Sequence, residues 1–205
     1  MSPSLVASDI PGGSFASPLE RGFAGLYKLD FADAQQDFAA WQRMHPEDPM
    51  GPVSEAAGIL FSEFNRLGVL EAQFYKNDDA FSKRPKMSPD PSVRAHFDDA
   101  ITRTENLAHS KLAQDPKDRE ALFAMTLSSG WQADYAALIE KRNLVSLRFT
   151  KRASVSAQEL LTVCPDCCDA PAGDRGSAST SLAAWRRRCG GSCAWEVLRQ
   201  ISREE

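Results

Sequence analysis

Apolar side chains recur along this chain at three- and four-residue intervals, the spacing that places them on one face of a helix. From Pro18, the residues Phe23, Leu26 and Tyr27 form one such stripe. Asp30 follows as an N-cap candidate, and Phe31, Ala34, Phe38 and Trp41 form a second stripe that stops at His45-Pro46. Proline disfavours helix at the residue before it. Ser54 to Leu70 predicts a third helix carrying Ile59, Leu60, Phe64 and Leu67. Residues 75–91 are polar and hold three prolines, so they read as a long loop. Asp90-Pro91-Ser92 then opens a helix with Phe97, Ile101, Ala108 and Leu112 that runs to Asp115-Pro116. Further helices are expected from Asp118 to about Gly130 (Ala121, Leu122, Met125, Leu127), from Trp131 with Tyr135, Leu138, Ile139 and Leu144, and from Leu147 to Val163 with Val155, Leu160 and Leu161. No stretch alternates with period two long enough to make a strand. The fold class is all-α.

Three helix ends share one motif. An apolar helix reaches MHPEDP at 44–49, QDPKD at 114–118 and VCPDCCDA at 163–170, each a proline among acidic or small polar residues. In the first unit Gly22, Ala34, Phe38, Trp41 and Pro46 have the spacing of the small, aromatic and closing-proline positions of a tetratricopeptide (TPR) repeat. The other units are degenerate, and the unequal distances between prolines imply insertions. Residues of about 20–170 resemble a bacterial family of uncharacterised TPR-like proteins. That resemblance implies an α-solenoid of irregular helix pairs, each burying its apolar face only by stacking on the next. Family members often carry an export signal, and no activity follows from the resemblance.

The remaining features qualify that picture. The chain has 205 residues, 42% hydrophobic and 25% charged, an ordinary globular balance for one domain of this size. A net charge of −4 argues against a broad basic surface for nucleic acid. No run approaches the roughly 18 apolar residues of a membrane-spanning helix. Residues 1–17 are rich in Ser, Pro and Gly and read as a disordered leader. They show no secretory signal, which leaves the cytoplasm as the default compartment and export as the alternative if the true start lies elsewhere.

All five cysteines follow residue 163: Cys164, Cys167, Cys168, Cys189 and Cys193. The first pair mimics a zinc knuckle, but the second has the wrong spacing, and disulfides are a further option in an exported protein. A third reading is preferred. The family resemblance implies a PVRWLLRLGG segment in this region, and permitted synonymous codons read one nucleotide earlier encode it here. The tail 171–205 is therefore expected to derive from a frameshift near residues 170–175, with the domain at 18–170 truncated at its C-terminus.

Candidate chemistry is sparse. His45, His96 and His109 form no close metal pair, and no phosphate loop or nucleophile elbow occurs. Asp78-Asp79 and Asp98-Asp99 read as solvated acids, and Lys141, Arg142, Arg148, Lys151 and Arg152 as a solvated basic face. No catalytic, cofactor-binding or metal site is expected. The expected function is a non-catalytic scaffold binding a protein or peptide on a concave helical face, with Tyr27, Asn65, Arg66 and Arg142 as candidate partner contacts. The alternatives are a small-ligand binder or enzyme with a pocket near the 75–91 insertion, or a nonfunctional truncated product.

Overall fold

A computed structural model describes residues 17–70 and 89–164. Among these the chain is all-helical: α1 (Pro18–Tyr27), α2 (Phe31–Met44), α3 (Met50–Arg66), α4 (Pro91–Gln114), α5 (Arg119–Asp134) continued by a π-helical turn (Tyr135–Ile139), and α6 (Asn143–Val163). Residues 1–16 of the leader, most of the 75–91 insertion and the tail expected from a frameshift lie outside the described residues, whereas Ser17, read as the last leader residue, is part of the helical domain.

Local chemistry explains the helix starts. Ser17 caps α1 in a reciprocal box: its hydroxyl accepts from the Glu20 N–H, and the Ser17 N–H donates to the Glu20 carboxylate at 3.0 Å. Asp90 caps α4 by accepting from the Ser92 N–H at 2.8 Å, with Pro91 in the first turn. Asp118 caps α5 through the Ala121 N–H at 2.8 Å. Asp30 does stand at the N-cap of α2, but its side chain makes no capping bond. Helix α3 begins at Met50, not at Ser54. Asp48 accepts from the Met50 N–H at 2.9 Å, and Pro52 is tolerated in a first turn whose N–H groups have no partner within the helix.

The ends repeat. The first helix of each pair stops at a residue of left-handed backbone: Leu29 (φ 63°) after α1, Gly68 (φ 67°) after α3 and Lys141 (φ 56°) after α5 with its π-turn. After α3 the Gly68 N–H donates to the Asn65 carbonyl and the Val69 N–H to the Phe64 carbonyl, a Schellman closure that ends the helix short of Leu70. After α1 the Leu29 and Asp30 N–H groups close on Leu26 and Gly25 in the same way. The second helix of each pair stops at an extended residue before a proline. His45 (φ −135°, ψ 66°), Asp115 (φ −134°, ψ 101°) and Cys164 (φ −138°, ψ 79°) each donate their N–H, at 2.8 Å, to the carbonyl four residues earlier.

Two boundaries differ from the sequence reading for one reason. Helix α5 does not end at Gly130; it runs unbroken to Asp134 and into the π-turn. It is buried on nearly all sides, so it has no single apolar stripe by which its ends could be read. Leu144, expected on that helix, belongs instead to α6, which starts at Asn143.

The main core runs from Leu26 and Phe38 through Val53, Leu60 and Phe97 to Trp131, Tyr135, Ile139 and Leu160, and a small second cluster of Ala108, Ala121 and Met125 lies between α4 and α5. Helix α3 packs on α1, α2, α4 and α5. Two glutamines seven residues apart on α2 sit over two glycines seven apart on α3: Gln35 over Gly58 and Gln42 over Gly51. Both donate their side-chain amide N–H to Glu55, Gln35 to the Glu55 backbone carbonyl at 3.1 Å and Gln42 to the Glu55 carboxylate at 2.8 Å. The second helices of successive pairs meet chiefly through long polar side chains. Arg103 of α4 donates to Gln42 at 2.8 Å and to Glu55 at 3.0 Å, and Arg152 of α6 donates to Glu105 of α4 at 3.0 Å.

Candidate functional site

The densest charged cluster lies where α3 and α5 end and α4 begins. Glu63, in the last turns of α3, is fully buried, and a buried carboxylate needs charged or hydrogen-bonded partners. Arg66, one turn on, supplies them as a fork, with both donor–acceptor distances 2.7 Å. The Asp90 N–H adds a longer bond at 3.3 Å and so ties the start of α4 to the end of α3.

On the other side, Arg94 of α4 donates to Asp98 at 2.8 Å and to Glu140 at 2.9 Å, and its guanidinium lies 4.5 Å from the centre of the Tyr135 ring. Phe97 stacks on the same ring at 5.0 Å. Glu140 also pairs with Arg142 at 3.5 Å.

Neighbouring charges and burial set the titration of the groups in this cluster. Burial pushes the Tyr135 phenol up to about 12; Arg94 opposes this, while Glu63 and Glu140 reinforce it. Its hydroxyl has no hydrogen-bond partner. The Arg94 guanidinium is held above its ordinary value: burial acts against the charge, but Asp98 and Glu140 outweigh it. The Glu63 hydrogen bond raises Arg66 likewise, and the Ser92 hydroxyl and N–H lower the Asp90 carboxyl. These acids are paired or capping, and the phenol stays protonated at neutral pH. The arrangement can present two half-exposed guanidinium groups, Arg66 and Arg142, to an anionic or hydrogen-bonding partner.

The four candidate contacts therefore divide. Arg66, through Glu63, and Arg142, through Glu140, belong to the one cluster around Tyr135. Asn65 is exposed beside Arg66 and gives its carbonyl to the closure of α3. Tyr27 is 66% exposed at the end of α1 and has no hydrogen bond to this cluster. Asp98 and Asp99 do not act on each other; they pair with Arg94 and Arg103, each at 2.8 Å. Arg152 of the basic face is bound to Glu105. His45 stacks on Trp41 at 4.0 Å, and His96 and His109 are exposed on α4.

Among the described residues no three His, Cys, Asp or Glu side chains form a group able to hold a metal ion. Cys164, the one cysteine among them, is disulfide-bonded, so its sulfur is no thiolate ligand; the other four lie outside the described residues. Asp78-Asp79 also lie outside. Two open depressions occur at the proline corners, one lined by Asp115 to Glu120, the other by Trp41, His45, Glu47, Asp48, Lys111 and Glu120. No described helix is long and apolar enough to cross a membrane.

Residue-by-residue reading missed Glu63 and the polar residues between pairs. Glu63 stands one residue before Phe64 in an otherwise apolar stripe, with a basic residue three positions on. Arg103 and Arg152 each stand thirteen residues before a closing proline, a shared position that was available in the sequence.

Among the described residues the protein is all-helical, with a charged cluster joining the ends of α3 and α5 to the start of α4. No family model, no curated protein and no solved structure matches the chain.

Proposed function

We propose that the protein is a non-catalytic helical-repeat scaffold, TPR-like in arrangement, that binds a protein or peptide partner on the side formed by its first helices. The observation that carries this reading is the recurrence of both helix ends. Left-handed residues close α1, α3 and the π-turn after α5, and extended residues before proline close α2, α4 and α6. The same position twelve residues before each proline holds a small buried side chain, Ala34, Thr104 and Ala153. Because α5 is buried along most of its length, the accessible part of this side is the cluster where α3 and α5 end, with Arg66 and Arg142 half-exposed. Arg66 and Arg142 are the contacts proposed to select an acidic or carboxylate-bearing peptide.

The test is selection of a random-peptide display library on the full chain, followed by titration of synthetic copies of the selected peptides. The expected result is saturable one-to-one binding by peptides enriched in acidic residues, weakened at least ~10-fold in the Arg66→Ala/Arg142→Ala variant, the scale of two lost charge-assisted contacts. Failure to enrich any sequence on a folded target, or binding indifferent to both arginines, overturns the reading. The enzyme and ligand-pocket alternative depends on the 75–91 insertion, most of which lies outside the described residues, and no observation favours it.

A further inference from the structure

The three closures of the first helices are not identical. The Asp30 N–H donates to the Gly25 carbonyl and the Val69 N–H to Phe64, each five residues back, whereas the Arg142 N–H donates to Ala136, six residues back, at 2.8 Å. The extra residue belongs to the π-turn, in which the Glu140 N–H reaches the Tyr135 carbonyl at 3.2 Å. The Arg142 carbonyl then accepts from the Val145 and Ser146 N–H groups as α6 begins. The backbone of Arg142 is thus held at both its N–H and its carbonyl, and Glu140 stands two residues before it on the same closure.

Glu140 is shared by two guanidinium groups. Arg94 of α4 donates from Nη1 to Oε1 at 2.9 Å, and Arg142 donates from Nη1 to Oε2 at 3.5 Å. The Glu140 side chain is only 18% exposed, so it draws its partners from the protein rather than from water. Arg94 is anchored on its other flank by Asp98 at 2.8 Å and by the face of the Tyr135 ring. Arg142 is 56% exposed, and this long contact is its one side-chain bond among the described residues. Arg66 stands differently, gripped by both oxygens of Glu63.

From this sharing we infer that Arg94 is a positioning residue for the acidic partner: by occupying Glu140 it leaves the Arg142 guanidinium available. The inference rests on the peptide-binding reading and deepens it. Without Arg94, the largely buried Glu140 carboxylate has Arg142 as its nearest cation and closes on it as a charge-assisted pair. A partner's carboxylate then has to displace Glu140 before it can bind. Arg94 acts through Glu140 and not by contact with the partner.

The experiment reads Arg142 directly. The full chain is treated with phenylglyoxal, which modifies available guanidinium groups, and the Arg142 adduct is followed by mass spectrometry. Arg94→Gln slows its formation ~3- to 10-fold, the scale of one charge pair near the surface. Arg94→Lys keeps it near the wild-type rate. Glu140→Gln alone quickens it, and Arg94→Gln/Glu140→Gln restores at least the wild-type rate, a recovery that damage to the fold would not show. Affinity for an acidic peptide selected as above follows the same order. Thermal melts accompany every variant. An adduct rate indifferent to Arg94→Gln, or a double variant as slow as Arg94→Gln, overturns the proposal. Where Arg94→Gln melts below the assay temperature, an unchanged rate in Glu140→Gln does the same. A wild-type chain that binds no acidic peptide overturns the peptide-binding reading and this proposal with it. A wild type that binds through Arg142, beside an Arg94→Gln variant that binds equally well, overturns this proposal alone.

Discussion

Gly22 of α1 lies under the ring of Phe38 in α2: a Cβ at position 22 would stand 2.6 Å from Phe38 Cδ1, inside contact distance of a fully buried ring. Phe38 is also held by Phe23 in an edge contact at 5.3 Å, so it has little freedom to retreat. Gly22→Ala therefore costs about 1–3 kcal/mol by overpacking. Gly130 of α5 is the counter-case, because nothing lies within 4 Å of its Cβ position. Gly130→Ala gains up to about 1 kcal/mol of helix propensity. Urea titrations of the two variants check the opposite signs.

Leu29 adopts the left-handed backbone (φ 63°) while its side chain is half-exposed. The side chain contributes little packing, and the conformation costs a residue with a Cβ roughly 1–2 kcal/mol. Leu29→Gly relieves that strain but makes the unfolded chain more flexible, for a net gain of about 0.5–1 kcal/mol. A rise in the urea midpoint at unchanged slope is the expected readout.

Burial raises the Asp134 carboxyl from its ordinary 3.8 to about 6. The native state thus holds a proton that the unfolded chain has released between those values, so folding stability falls as pH rises from about 4 to about 6 and stays lower above it. The span corresponds to roughly 3 kcal/mol as an order of magnitude. Asp134→Asn removes this component, raising stability at pH 7.5 while leaving it nearly unchanged at pH 4. Melts of both proteins at the two pH values measure the difference.

Glu105 accepts from Ser128, Gln132 and Arg152, whereas Arg152 has Glu105 as its one hydrogen-bond acceptor among the described residues. Glu105→Ala also leaves the buried Ser128 hydroxyl on α5 without its acceptor, while Gln132 keeps its bonds to Ser128, and costs about 1–3 kcal/mol. Arg152→Ala breaks a half-exposed pair and costs less than about 1 kcal/mol. A double-mutant cycle reports a coupling energy no larger than the smaller value.

The helices themselves were legible because α1, α2 and α4 each carry an apolar stripe, and because Asp90 and Asp118 mark the starts of α4 and α5. The closing prolines marked where the second helices stop. Gly130 reads as a terminator, whereas it stands in the interior of α5, a helix that burial holds on most sides but leaves open at Gly130 itself. The end of α3 was overrun because an apolar residue, Val69, follows the left-handed Gly68 and continues the pattern past the true stop. The charged cluster was half-visible. Arg66 and Arg142 drew attention as exposed cations near helix ends, but their shared relation to Tyr135 and the burial of Glu63 depend on how α3, α4 and α5 come together. Tyr27 shares the same kind of position, the end of a first helix, without joining the cluster.

The two edges of the array are built from different materials, and this sets how it yields under load. Along the α1–α3–α5 side the helices share one apolar core, and prying them apart exposes that core to water. Along the α2–α4–α6 side the ties are Arg103 to Gln42 and Arg152 to Glu105, long side chains with water close at hand. Such ties can lengthen, exchange partners or slip by a rotamer without unpacking anything. Rearranging these polar ties therefore exposes less apolar surface than separating α1, α3 and α5 does.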